Sequence, residues 1–119
     1  MTIQEARENF RKAAITNGEC VDARSANQLH KEMAQAFIFL KSQGEIGCST
    51  FKDLLHDNNN YVRVWVAAQL LSEGDLKALS VLREIEKSSG LLAFDAEMTI
   101  QEFEAGRLKS AFKIRDEKL

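Results

Sequence analysis

Asp57-Asn58-Asn59-Asn60-Tyr61-Val62-Arg63-Val64-Trp65-Val66-Ala67-Ala68-Gln69-Leu70-Leu71 is the stretch whose reading decides the fold. Asparagine tolerates the left-handed backbone region and also caps helix starts, so the Asn58-Asn59-Asn60 run can end one helix and begin another. Tyr61–Val66 is rich in β-branched and aromatic residues and alternates as a strand would. Ala67-Ala68-Gln69-Leu70-Leu71 then continues it with strong helix formers, so the whole segment reads as one helix from about Asn60 to Glu73. Val62, Val66 and Leu70 form one apolar row with Trp65 beside it, and Val64, Ala68 and Leu71 form a second. A helix apolar nearly all round belongs in the middle of a fold. The competing reading makes one of the two rows an exposed strip for a partner.

Outward from this segment the glycines punctuate the chain, at Gly18, Gly44, Gly47, Gly74, Gly90 and Gly106. Glycine ends helices without a Cβ penalty. A first helix starts at Thr2-x-x-Glu5, a capping-box spacing, with Ile3, Ala6, Phe10 and Ala13 on one face. A second follows Asp22 and carries Ala26, Leu29, Met33, Ala36, Phe37 and Leu40 at helical spacing. A short third is expected from Ser49 or Thr50 to about Asp57. A fifth follows Asp75 with Leu76, Leu79, Leu82 and Ile85, and a sixth carries Leu92, Ala96, Thr99, Ile100 and Phe103. Short connections make successive helices antiparallel neighbours, so six helices give three hairpins. Leu108, Ala111 and Phe112 predict a terminal helix closing the stack, frayed after Ile114; the sharper alternative is a partner-binding arm.

With 119 residues, 45% apolar, 29% charged and no proline, the chain is one mostly helical domain, residues 1–119. A net charge of −2 gives no basic excess for nucleic acid. Cys20 and Cys48 match no metal pattern; they read as free thiols, a bridge between them being the alternative. The absence of a long apolar run argues against a membrane span, and the charged start points to the cytoplasm.

No constellation suggests catalysis, a metal or a cofactor. His30 has no ligand-spaced partner and reads as a surface or half-buried histidine. His56 near a helix end reads as a cap, and adjacent His56 and Asp57 diverge on a helix. From Glu73 to Glu104 there are eight acidic and three basic residues, and from Arg107 to Leu119 five basic and two acidic. Glu84/Glu86, Asp95/Glu97 and Glu102/Glu104 are spaced two apart and point away from each other, as on a solvated acidic face.

The segment from Phe51 to Leu71 resembles a HEAT repeat: a short leucine-bearing helix, Asp in the turn, Val-Arg, small residues, then leucines. The chain is also similar to a small bacterial HEAT-like family that carries no established activity. The resemblance implies a short right-handed stack of antiparallel helical hairpins, with Asp57 and Arg63 bonding the turn and each other. The architecture suggests a module without catalysis that binds a protein partner through its groove or acidic face. Candidate contacts are Lys31, Gln35, Arg63, Gln69, Asp95 and Glu102. The alternatives are an inhibitor or immunity protein masking a basic toxin or enzyme, and a small-ligand binder or enzyme using Tyr61 and Trp65.

Overall fold

Thr2 opens the first helix with a reciprocal capping box: its hydroxyl accepts from the Glu5 amide at 3.0 Å and the Glu5 carboxylate accepts from the Thr2 amide at 2.8 Å. A computed structural model of the chain describes residues 1–19 and 22–112. It contains α1 (Ile3–Gly18), α2 (Ala23–Ser42), α3 (Gly44–Asp53) running into a 3₁₀ turn (Leu54–His56), α4 (Asn60–Ser72), α5 (Lys77–Glu86) and α6 (Leu91–Glu104). No strand occurs among the described residues. The protein is therefore all-α, and the Tyr61–Val66 segment is helical. Asp22 and Asn59 cap α2 and α4 as their side chains predict.

Helix α4 occupies the centre. It packs on α1, α3, α5 and α6, and buries Val62, Val66, Ala67, Gln69, Leu70 and Leu71. Helices α1 and α2 form one close hairpin, and α5 and α6 another. Fully burying each of its aliphatic side chains contributes about 1.5–3 kcal/mol.

Two glycines permit close approaches, and only one of them, Gly18, also ends a helix. Gly47 lies inside α3, buried, where a Cβ would stand 1.9 Å from the Leu40 carbonyl oxygen. Gly44, at φ +71°, makes the sharp corner after α2. The third helix therefore begins five residues ahead of Ser49, because Gly47 permits contact and breaks nothing. Gly18 is the last residue of α1 and admits the Tyr61 ring; a Cβ there would lie 2.2 Å from the ring's Cδ1. In α5 Leu82 and Ile85 are buried as expected, together with Ala78 and Val81, whereas Leu76, expected in the core, is 63% exposed.

The chain after α6 is not helical over its described part: residues 107–110 are irregular and 111–112 form a turn. The expected fraying after Ile114 lies outside the described residues. Phe112 is nevertheless buried, with its ring 5.4 to 5.6 Å from those of Phe10, Phe37, His30 and Trp65. Gln69 holds it there. Its Oε1 accepts from Ser110 Oγ at 2.8 Å, the Ala111 amide at 2.9 Å and the Phe112 amide at 3.2 Å. Its Nε2 donates to Glu73 at 2.7 Å. His30 Nε2 donates to the Ala111 carbonyl at 2.8 Å, since a carbonyl only accepts. The tail thus caps the fold as an anchored irregular strap, with a side chain in the core.

Replacing Gln69 with leucine keeps the volume but orphans the strap's amides. Urea denaturation should show a loss of about 2–4 kcal/mol, with faster amide exchange at Ala111 and Phe112; unchanged exchange there would contradict the clamp. Gly47→Ala should cost about 1–3 kcal/mol by the same assay, as overpacking does.

Candidate functional site

Of the two apolar rows on α4, the row Val62–Val66–Leu70 is buried, whereas the second row is divided: Leu71 is buried, and Val64 and Ala68 are half-buried and look outward. Together with Tyr61 and Trp65 they form one wall of a groove of about 450 Å³. Asn17 and Gly18, at the end of α1, close one part of it. The opposite wall is α6, through Leu91, Leu92, Asp95, Met98 and Thr99. Gly18 shapes this groove, because only a missing Cβ lets the Tyr61 ring lie against α1.

Helix α6 is apolar on two faces. One, with Ala96 and Ile100, is buried against α4 and α5. The other carries Leu91 at 82%, Phe94 at 55% and Met98 at 39% exposure. These three stand at i, i+3 and i+7, so they form one stripe along the helix. Asp95 falls in the same seam at i+4. Burial pushes its carboxyl above the ordinary value, and no cation pairs with it among the described residues.

The residues expected to share one groove are divided by the structure. Asp95 lines the α4–α6 groove. Lys31 and Gln35 are exposed on α2, and neither lines it; Gln35 borders a separate depression between α1 and α2. Gln69, expected on the exposed face, is 2% exposed and serves the core. Glu102 is occupied by Arg107, at 2.9 Å, which holds its carboxyl below the ordinary range.

Asp57 and Arg63 do not bond each other. Arg63 lies in the first turn of α4 and is directed at its own turn and at α5. It donates to the Leu55 carbonyl at 3.2 Å, to Asn60 at 3.0 Å and to Glu84 at 2.9 Å. Asp57 is taken by Arg11 of α1, through Nε and through Nη2 at 3.1 Å, and also accepts from the Asn59 amide at 2.9 Å. Each member of the expected pair therefore ties α4 or its approach to a different neighbour. His56 is exposed, and Cys48 carries a free, half-buried thiol; Cys20 lies outside the described residues. Among the described residues no helix is long and apolar enough to cross a membrane.

The acidic run is largely neutralised from within. Of its eight carboxylates, five are paired: Glu73 with Lys41, Asp75 with Lys52, Glu84 with Arg63, Glu102 with Arg107 and Glu104 with Arg83. That leaves Glu86, Asp95 and Glu97 without a cation among the described residues. The sequence reading of the sixth helix rests on Leu92, Ala96, Thr99, Ile100 and Phe103 and leaves Leu91, Phe94 and Met98 unassigned. Two apolar rows on one helix were the available signal.

No protein-family model, curated protein or solved structure matches the chain.

The Arg11 guanidinium, hydrogen-bonded to Asp57, holds that carboxyl below its ordinary value of 3.8. A lowered folded-state value means the pair stabilises the fold above the unfolded value and is lost as pH falls through the folded one. Asp57→Asn should therefore be less stable than wild type at neutral pH, and the difference should close as pH drops below 3.8. Urea unfolding across pH 7 to about pH 2 measures this, and a constant difference would exclude the ion pair as its source.

Proposed function

We propose that the protein is an interaction module of the HEAT-like kind, with no reaction of its own, that docks a protein partner in the groove between α4 and α6. The observation that carries this reading is the second apolar face of α6. Leu91, Phe94 and Met98 lie in line, exposed, beside a groove walled by Tyr61 and Trp65. Exposed apolar residues scattered singly need no explanation, but a continuous apolar face beside a concave aromatic wall is the composition of an interface core. Contact through the acidic run alone, as an inhibitor of a basic toxin or enzyme would use it, has less support, because five of the eight carboxylates already serve the fold.

The double substitution Leu91→Asp with Phe94→Asp should abolish partner capture from native extract and leave the helical circular-dichroism spectrum unchanged, since both side chains are exposed. Lys31→Ala with Gln35→Ala, away from the groove, should capture normally. Equal recovery of the same proteins by wild type and the double Asp variant would refute the groove as the docking face.

A further inference from the structure

We propose that the occupant of the α4–α6 groove is an amphipathic α-helix of the partner, carrying one Lys or Arg among its apolar residues to meet Asp95. This rests on the docking reading above and adds the form and charge of what docks.

The form follows from the walls. The backbone groups of α4 and α6 are bonded within their own helices, and no sheet edge exists among the described residues for an extended segment to join. Recognition must therefore run through side chains. The seam Leu91, Phe94, Asp95, Met98 has the i, i+3, i+4, i+7 spacing with which one helix receives another.

The charge follows from Asp95. It is the one carboxylate among the described residues that line the groove. Among the described residues its neighbours on α6 leave it no cation: Glu102 takes Arg107 at 2.9 Å and Glu104 takes Arg83 at 3.3 Å. A purely apolar helix laid over this seam would strip the water from an exposed carboxylate that has no cation among the described residues, which is costly. A Lys or Arg among the apolar residues removes that cost, and the aromatic side chains of Tyr61 and Trp65 line the same groove. A second copy of the chain does not meet this requirement through α6. The helix contributes Asp95, Glu97, Glu102 and Glu104 and no basic residue, so pairing it with itself sets like charges together.

The test uses the full chain and two synthetic Ala-based peptides of about 16 residues, long enough to be helical. Both carry leucines at i, i+3 and i+7, with Arg at i+4 in one and Glu in the other. Fluorescence anisotropy should show wild type binding the Arg peptide about tenfold more tightly than the Glu peptide, and Asp95→Lys reversing the order. Equal binding of both peptides, or the same preference in Asp95→Lys, overturns the proposal. So does absence of binding by either peptide; if Leu91→Asp with Phe94→Asp still abolishes capture from extract, docking survives with a different occupant. A concentration-dependent dimer that Leu91→Asp dissolves would also overturn it, in favour of a second copy.

Discussion

A buried amide must find partners, and Gln69 finds them in the chain that follows the last helix. On a helix otherwise apolar on its inner sides, a 2% exposed glutamine would be a liability without acceptors and donors close by. It is satisfied by Ser110, Ala111, Phe112 and Glu73. The consequence reaches the whole core. By fixing the strap, Gln69 places the Phe112 ring among one aromatic from α1, two from α2 and one from α4. Phe10 and Phe37 are in turn packed on Phe51 of α3. The centre of the molecule is therefore finished by the last residue described, long after the helices that surround it.

What was legible in the sequence was whatever depends on local chemistry. Thr2 with Glu5, Asp22 and Asn59 cap helices through bonds made within three residues, and the apolar repeat of α4 fixes its central place. What was not legible depends on contacts made at a distance. Glycine has the same letter whether it turns the chain or admits a neighbour; Gly44 does the first and Gly47 the second, three residues apart. Gln69 reads as a polar residue on a surface until the returning strap is known. Arg63 and Asp57 could bond each other by spacing, yet Arg11, 46 residues from Asp57 in sequence, competes successfully for it.

The candidate site was half visible for the same reason. Asp95 could be singled out, and the outward row of α4 could be held open as a strip, but the α6 stripe needed the structure. Helices α4 and α6 both carry apolar residues on more than one side. In α4 the surplus is covered from four directions at Leu71 and left half-open only at Val64 and Ala68, where it walls the groove. Helix α6 packs on α4 and α5, and its second apolar row stays open to water.

The ion pairs sharpen the meaning of that exposure. A run of eight carboxylates looks like an electrostatic surface in the sequence, yet most of its charge is spent joining elements: α2 to the end of α4, α3 to the turn before α5, α4 to α5 and α5 to α6. Exposed pairs of this kind contribute little stability each, on the order of 0–1 kcal/mol, but they cancel the field that would steer a basic partner. Asp95 is different in kind. It is exposed in the groove lining, on the open row of an apolar helix, and no cation answers its charge among the described residues. A solvated acidic face requires no apolar neighbours and a core helix requires no carboxylate, and it is the two together on which the proposed docking face rests.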